Sequence, residues 1–412
     1  MATSSTKTRK TILITSGRAP AALELARIFH RAGHRVIMAE SLRRHLSISS
    51  QAVAKNYHVV WPTEKPEQYV TEIGSIIETE DVDILLPTCE EIYFLSQRRD
   101  QLPERCTWLV PEWEQLHSLH SKWEFVNVVR QWNLSAPETR LLTDRSELET
   151  CFEEGQLQVF KPVYSRFAND VVVQPENLDA LSDVTPSIET PWVAQQFIEG
   201  QQFSTFSLAC DGELLAHVTY PMNFTTGNGP TYAFEAIQQP DILDWVRNFI
   251  DAENFTGQIA FDFIQQTDGT VVAIECNPRA TSGLHLFRGR LDLADAYVEP
   301  EKFTGDFLVP DGRPAYHGLP LALLGLLLVR SWKELKRWTS MLFYGRDMLL
   351  SWSDLMPLLM LSINLYPIFK RAREHSVGLG QASTMDIEWN GPATMHQNSD
   401  FPNPVEAPTI AD

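Results

Sequence analysis

The sequence contains few cysteines, and their spacing does not suit a metal cluster. Only five occur among 412 residues, all widely separated and none in a C-x-x-C pair. This excludes a zinc site made of cysteines with the usual spacing, and it favours a reducing compartment. We therefore expect a cytoplasmic protein.

Long apolar runs are also absent. No window holds 18 uninterrupted apolar residues, about the length that a membrane-spanning helix requires. The nearest approach, residues 348–369, is interrupted by Asp354, Pro357, Asn364 and Pro367 and is followed by basic residues. Helices packed on the protein body are the favoured interpretation, and peripheral contact of the C-terminal helices with a membrane surface stays open.

Basic residues are fewer than acidic residues. Lys and Arg total 34 against 53 Asp and Glu, which gives a net charge of −19. A nucleic-acid partner is therefore not expected, although a local basic cleft for a phosphate ligand is compatible with this charge.

Glycines are few in the turn after the first predicted strand. This turn, residues 16–18, has one glycine, whereas the NAD-binding fingerprint needs three. An NAD-binding site is therefore not expected.

The remaining composition and patterning predict a folded α/β protein of several domains. Hydrophobic residues make up 43% of the chain and charged residues 21%. In residues 1–115, strands alternate with helical segments, which predicts a Rossmann-like parallel α/β domain. The further predicted units are a small α+β sub-domain at 116–190, a strand-rich sub-domain at 191–302, a helical C-terminal extension at 303–390 and a flexible tail at 391–412. Within the extension, residues 386–390 alternate like an edge strand.

The most informative tract is a predicted hairpin of residues 257–264 and 271–279. Alternation along its strands places Asp262, Glu275 and Asn277 close together. Two carboxylates and an amide suit Mg²⁺, or alternatively Mn²⁺, and Arg279 lies where a guanidinium could hold an anion. On these residues alone, an ordinary surface hairpin with polar positions is an equally good interpretation.

Residues 261–263 and 274–279 resemble the metal-binding signature of ATP-grasp ligases. The likeness is nearest the branch that contains biotin carboxylase and the large chain of carbamoyl-phosphate synthase. Residues 25–37 and 275–279 are also similar to the ligase that joins glycine to 4-deoxygadusol in mycosporine biosynthesis. Three further segments that resemble family motifs follow in the expected order, at 121–137, 159–162 and 192–200.

This resemblance implies an ATP-grasp fold after the N-terminal domain, with ATP and Mg²⁺ as ligands. By the same resemblance, Lys122 and Lys161 contact the ATP phosphates. The residues implied to hold the adenine are Gln195, Gln196, Phe197 and Ile198. The phosphate-covering loop, 163–170, lacks the family's glycines, so Ser165 and Arg166 are expected to take over part of phosphate binding.

The function implied is an ATP-dependent ligase with a small acid and an amine or amino acid as substrates. The acid would form an acyl or enol phosphate, and the amine would displace the phosphate while Arg279 stabilises the tetrahedral intermediate. The candidate lids are residues 120–190 and 223–230. Two alternatives stay open: a catalytically weak, membrane-associated nucleotide-binding scaffold, and a carboxylase or carbamoyl-phosphate-type enzyme that uses bicarbonate or ammonia. The latter is disfavoured because residues 280–283 lack the glutamate base of biotin carboxylase.

Three other side chains near the predicted site have two interpretations each. His217 and His285 flank it and could transfer protons near neutral pH, although packed histidines are the favoured interpretation. Glu90 follows the fourth predicted strand. It is expected either to meet Arg279 or the amine, or simply to begin a helix.

Overall fold

The computed structural model describes residues 9–166, 170–222, 231–303, 305–318 and 331–391. Its first layer is a parallel sheet in the order β3-β2-β1-β4, which confirms the predicted N-terminal α/β unit. The strands are β1 (Thr11–Thr15), β2 (Arg35–Glu40), β3 (Lys55–His58) and β4 (Ile84–Leu86). The helices are α1 (Pro20–Arg31), α2 (Pro66–Glu80), α3 (Glu91–Ser96) and α4 (Trp113–His120). Because all four strands run in parallel, their carboxyl ends share one edge, where ligands usually bind.

A small antiparallel sheet follows, in the order β5-β8-β6-β7. Its elements are α5 (Lys122–Gln131), β5 (Thr139–Leu142), α6 (Arg145–Glu154), β6 (Val159–Pro162), β7 (Val172–Val173) and β8 (Trp192–Gln195). Helix α5 begins where the Ser121 side chain accepts a hydrogen bond from the backbone N–H of Glu124. This cap fixes the position of Lys122 in the first turn of the helix.

A second antiparallel sheet has the order β10-β9-β12-β13. Its strands are β9 (Gln201–Cys210), β10 (Glu213–Pro221), β12 (Gly257–Gln265) and β13 (Val271–Asn277), and α7 (Pro240–Ala252) packs against it. Trp245 and Phe249 of α7 stack in parallel at 5.3 Å between ring centroids. Both rings also meet Phe261 of β12 edge-on. This aromatic core fixes the hairpin that carries the predicted metal ligands.

The C-terminal region is helical, as predicted, but it also contributes to a third sheet. That sheet has the order β11-β14-β15, from β11 (Ala233–Phe234), β14 (Ala315–Tyr316) and β15 (Arg346–Asp347). The helices are α8 (Asp292–Val298), α9 (Trp332–Tyr344), α10 (Met356–Leu359), α11 (Leu361–His375) and α12 (Leu379–Thr384). The predicted helix at 348–369 therefore begins only at Met356. The candidate lid at 223–230 and all of the predicted tail after residue 391 fall outside the described residues.

The edge strand predicted at 386–390 is wrong. Residues 379–390, which we call the C-terminal strap, comprise α12 and a turn followed by extended chain that lies against the N-terminal domain. The Asp386 side chain is fully buried and pairs with Arg18 and Arg371, each at 2.6 Å. The alternation in the sequence therefore arises from tertiary contacts of single side chains, since no strand in the described part of the chain pairs with this segment.

Among the described residues, no helix is long and apolar enough to cross a membrane. Helices α10 and α11 nevertheless expose apolar side chains at helical spacing, namely Leu359, Ile363, Tyr366 and Phe369. The favoured expectation that this stretch is buried against the protein body is therefore incorrect for these four side chains. Contact of this surface with a membrane stays a prediction.

Candidate active site

A cavity of about 520 Å³ lies between the sheet of β5–β8 and the sheet of β9–β13. We call it the nucleotide cavity. Among the predicted site residues, those that line it are Lys161, Gln195, Gln196, Phe197, Ile198, Asp262 and Glu275. Side chains from four strands and the β8–β9 connection thus meet in one space, although they are spread over more than a hundred positions of the chain.

Both predicted phosphate-binding lysines are buried at this cavity or beside it. Lys161 is 5% exposed and Lys122 3%. The Lys161 ammonium donates a hydrogen bond to the backbone carbonyl of Ile274 at 3.2 Å. Burial lowers the pKa of Lys161 to about 8, although Glu275 acts in the opposite direction. A buried ammonium group with little compensating negative charge around it favours the binding of an anionic ligand.

Lys122 is held by two groups that flank the cavity. Its ammonium donates to the carbonyl oxygen of Ser165 at 3.1 Å and lies 3.7 Å from a carboxylate oxygen of Glu275. The backbone of Ser165 is therefore hydrogen-bonded to Lys122, and this position is compatible with the prediction that Ser165 lies beside the ATP phosphates. Residues 167–169 of the same loop fall outside the described part of the chain.

The hairpin places Asp262 directly opposite Glu275 in the β12–β13 register, next to an irregularity between Asp262 and Phe263. Burial and the neighbouring Glu275 carboxylate raise the pKa of Asp262 to about 6. Two half-buried acidic groups that repel each other suit a cation between them. Asn277 does not line the cavity, and its side-chain oxygen accepts a hydrogen bond from Arg279 at 3.1 Å. Asp262 and Glu275 therefore suit two of the predicted magnesium ligands, and a role for Asn277 as the third stays a prediction.

The β8–β9 connection supplies an apolar wall and a constrained backbone. Ile198 packs with Ile264, Val272 and Ile274, which gives a flat apolar surface of the kind that suits an adenine ring. The side chain of Gln195 instead donates to Thr139 at 3.1 Å, so it is directed toward β5. A methyl group on Gly200 would lie only 2.2 Å from the backbone oxygen of Gln265, so this close approach requires glycine.

Arg166 lies away from the nucleotide cavity. Its guanidinium forms an ion pair with Glu90, a second one with Glu388 at 3.0 Å, and a hydrogen bond to the carbonyl of Trp389 at 3.2 Å. The Arg166 side chain is therefore directed toward the buried Glu90 carboxylate and the strap, and not toward the nucleotide cavity. Sequence reasoning could not detect this because Glu388 lies more than two hundred residues further along the chain.

The ion pair between Glu90 and Arg166 makes a testable contribution at acid pH. Burial alone would raise the pKa of Glu90, but Arg166 lowers it to about 2, against an ordinary 4.5. The charged Glu90 therefore stabilises the folded state by about 3 kcal/mol at pH values above the ordinary pKa of this group. This stabilisation is lost as the pH falls through the pKa that Glu90 has in the folded state. We expect Glu90→Gln to lower the free energy of unfolding by about this amount at neutral pH, and by much less at about pH 2.

Urea unfolding at both pH values measures this difference. Glu114→Gln, an exposed carboxylate on α4, serves as the control and should leave the free energy of unfolding unchanged at both. An equal loss for Glu90→Gln at both pH values would contradict the pairing.

A second cavity, of about 540 Å³, lies at the carboxyl edge of the N-terminal sheet. It is lined by Arg18 after β1, by Glu90, by Arg279 after β13 and by the strap. Buried polar atoms of residues lining it, namely Nε of Arg279, Oγ1 of Thr281 and Nδ1 of His285, have no hydrogen-bond partner among the described residues. Glu90 meets Arg279 at 3.8 Å, which is one of the two expectations for this residue. Buried donors without partners favour a polar ligand in this cavity.

Sequence reasoning missed Arg18, His317 and the strap as parts of this cavity. Arg18 carried a usable signal because it follows β1 at the edge where ligands gather. The strap carried none, since nothing local specifies a contact between residues separated by more than three hundred positions.

Comparison with known proteins agrees with this architecture. The model of an ATP-grasp domain family matches residues 119–283. In sequence, the chain is 20% identical over 185 residues to an uncharacterized protein of Methanocaldococcus jannaschii. That match covers 41% of this chain and only 45% of the relative.

Solved structures show the same fold over most of the chain. An L-amino acid ligase from Bacillus licheniformis superimposes with a TM-score of 0.58 at 17% identity, over 75% of this chain and 78% of the ligase. An N5-carboxyaminoimidazole synthetase from Staphylococcus aureus complexed with ADP gives 0.60 at 12% identity, over 77% and 86%. A biotin carboxylase from Campylobacter jejuni gives 0.54 at 14% identity, over 70% and 71%.

These superpositions show that the chain shares the fold of the three structures. Residues 119–283 form an ATP-grasp domain, and the parts around it share the fold of ATP-grasp ligases, as the sequence resemblance implied.

Proposed function

We propose that this protein is an ADP-forming ligase that joins a small carboxylic acid, or a vinylogous acid, to an amine. ATP occupies the nucleotide cavity, with its adenine against Ile198 and Ile274 and its phosphates toward Lys161. The acid and the amine occupy the second cavity, next to Arg279. The observation that carries the proposal is that residues 275–279 connect the two cavities: Glu275 lines one, Arg279 lines the other, and Asn277 hydrogen-bonds Arg279 between them.

The chemistry follows from these positions. A carboxylate oxygen of the acid attacks the γ-phosphorus of ATP, the bond to the β-phosphate oxygen breaks, and an acyl phosphate and ADP result. The amine nitrogen then attacks the acyl carbon. Arg279 stabilises the negative oxygen of the tetrahedral intermediate, and phosphate leaves as the amide forms. When bound by Asp262, Glu275 and Asn277, Mg²⁺ would offset the charge of the ATP phosphates.

Lys161 and Lys122 hold the phosphates in line with the acid, so catalysis is mainly positioning and charge stabilisation. On the other side, Arg166 lines the second cavity, and the neighbouring Ser165 carbonyl accepts a hydrogen bond from Lys122. Because Arg166 binds the strap, we propose that closure over an acyl phosphate involves the strap as well as the loop.

Release of ADP tests this function. The protein is incubated with Mg²⁺-ATP and each pair of the standard amino acids, which supply both a carboxylate and an amine. We expect ADP formation that requires a suitable pair, because an acyl phosphate shielded from water turns over only when an amine arrives. Asp262→Asn should abolish it, since the amide keeps the shape of the side chain but loses the charge that binds the metal.

Asp268→Asn is the matched control, because Asp268 is an exposed carboxylate in the turn of the same hairpin. This control should leave turnover unchanged. Asp262→Asn should also raise the stability of the ligand-free protein, since it removes a buried carboxylate that faces Glu275. ADP release equal in both variants would refute the assignment of the metal site.

A further inference from the structure

A buried glutamate lies directly behind one histidine of the second cavity. Glu24 on α1 is completely buried, and neither of its carboxylate oxygens accepts a hydrogen bond among the described residues. One oxygen lies 3.7 Å from Nδ1 of His285, and the other lies 3.7 Å from Nε of Arg288. Burial alone would raise the pKa of Glu24, but the nearby His285 and Arg288 lower it below its ordinary value. The carboxylate is therefore charged at neutral pH.

The cation beside this carboxylate, Arg288, lies at 3.7 Å, which is too far for a hydrogen bond. Apart from Glu24 and Arg27, the buried side chains of helix α1 are apolar, and an alanine or leucine at position 24 would pack there without a desolvation penalty. Arg27, one turn along the helix, is already occupied by Asp354 at 2.8 Å. Charged residues retained at such a cost are concentrated at functional sites.

His285 connects this carboxylate to the cavity. It lies in the short turn Ser282–Phe287, which follows Arg279 and packs against α1. It is 2% exposed, and it lines the second cavity together with Arg279. Its Nδ1 is buried without a hydrogen-bond partner among the described residues and faces Glu24. A proton on Nδ1 directed at Glu24 leaves the lone pair on Nε2 free.

We propose that His285, oriented by Glu24, is the proton acceptor that activates the amine substrate in the second cavity. This rests on the proposed function, since it assumes an amine that attacks an acyl phosphate. An amine of ordinary basicity arrives as its ammonium ion at neutral pH and cannot attack until it loses a proton.

The protons balance in this step. Nε2 of His285 takes one proton from the ammonium group, and Glu24 stabilises the imidazolium that results. The nitrogen lone pair forms the C–N bond, and the C–O bond to phosphate breaks. The second proton of the nitrogen goes to the departing phosphate, which leaves a neutral amide. The proton on His285 passes to solvent after product release.

The surroundings of His285 contain groups of both signs. The charged or titratable groups that face His285 or its partners are Glu24, Arg27, Arg288, His317 and Asp347. Burial lowers the pKa of His317 to about 4, and His285 lowers it further, so His317 is neutral at neutral pH. Arg27 and Arg288 are neutralised by Asp354 and by Glu24. Glu24 is therefore the carboxylate that faces the Nδ1 edge of His285.

The first test needs no substrate. Long-range proton–nitrogen NMR spectra of protein with ¹⁵N-labelled histidine report which ring nitrogen carries the proton, and His285→Gln identifies the signal. We expect the proton of neutral His285 on Nδ1 in the wild type and a change of this preference in Glu24→Gln. A proton fixed on Nε2 in both proteins would overturn the proposal, because no lone pair would face the cavity.

The second test compares two nucleophiles. Hydroxylamine is mostly unprotonated at neutral pH and traps an acyl phosphate as a hydroxamate without a base, whereas an amino acid needs one. We expect His285→Gln to lower the ratio of amide to hydroxamate about 10²-fold or more, which is the usual contribution of a general base. The glutamine is a neutral polar side chain of similar size, so we expect the fold to be preserved. Raising the pH should recover part of the amide rate in this variant.

The outcomes separate the two proposals. If amide and hydroxamate formation fall together in His285→Gln, or if neither falls, His285 is a structural residue and the inference is overturned. If the wild type releases no ADP with any amino acid pair or with hydroxylamine, the proposed function fails. The NMR result then still decides whether Glu24 orients His285 toward the cavity.

Discussion

Replacing Lys161 with methionine is expected to remove the response to nucleotide and to leave the ligand-free protein at least as stable as the wild type. The ammonium of Lys161 is the buried cation of the nucleotide cavity, and burial holds its pKa at about 8, below the ordinary 10.5. A lysine whose pKa is lowered in the folded state destabilises that state at every pH below the folded pKa. This difference corresponds to a penalty on the order of 3 kcal/mol at neutral pH, which methionine avoids.

Mg²⁺-ATP should reverse the order of the two proteins. A ligand that binds only the folded state adds about 2.7 kcal/mol at a hundredfold excess over its Kd. Lys161 contributes to that affinity because phosphate oxygens satisfy its charge, so the wild type should gain this stabilisation and Lys161→Met should gain little. Melting temperatures with and without Mg²⁺-ATP measure the effect.

Lys302→Met is the matched control, since this lysine is half exposed and pairs only with nearby Glu299. It should keep the full response to nucleotide. A Lys161→Met protein that responds to Mg²⁺-ATP like the wild type would contradict the placement of the phosphates. A ligand-free variant much less stable than the wild type would show instead that Lys161 has a structural role.

Replacing Arg18 with alanine is expected to lower the free energy of unfolding by about 3–5 kcal/mol, the usual loss when one member of a buried ion pair is removed. The Arg18 guanidinium lies between the carboxylates of Glu40 and Asp386, and all three side chains are at most 5% exposed. Ser41 also donates a hydrogen bond to Asp386 at 2.6 Å. Without Arg18, two buried carboxylates would face each other with only Arg371 to compensate them.

The same variant should release the C-terminal strap and open the second cavity. Chemical denaturation measures the stability loss, and limited proteolysis measures the exposure of residues 379–390. Arg105→Ala is the control, because Arg105 pairs at the surface with Asp81 and should contribute about 1 kcal/mol or less. A double variant, Arg18→Met with Glu40→Gln, should recover much of the stability, since Asp386 keeps its ion pair with Arg371 and no buried charge is left unpaired. A loss for Arg18→Ala no larger than that for Arg105→Ala would contradict this network.

The nucleotide cavity was largely predictable from the sequence. Asp262 and Glu275 face each other because a two-residue period and a tight turn determine the hairpin, and both signals are local. Lys122 and Lys161 were found by their places in motifs, at a capped helix start and in a strand. Each of these signals lies within about ten residues of the chain, so the sequence alone was sufficient to detect it.

The second cavity was not predictable in the same way. Arg166 was expected at the phosphates, but it pairs with Glu90 and Glu388 because those carboxylates arrive from distant parts of the chain. The strap was read as an edge strand because alternation of polar and apolar residues has the same appearance whether the partner is a strand or a set of buried side chains. Glu24 was invisible as a functional candidate because an acidic residue on a helix is normally solvated.

The sequence by itself determined the class of fold and the motifs that line the nucleotide cavity, because periodicity and short motifs encode local geometry. Only the tertiary structure decided which charges meet: Arg18 with Asp386, Arg166 with Glu90, and Glu24 with His285. These pairs form between elements that are far apart in the chain. Their partners are selected by burial and by the geometry of packing, and no local pattern of residues specifies either.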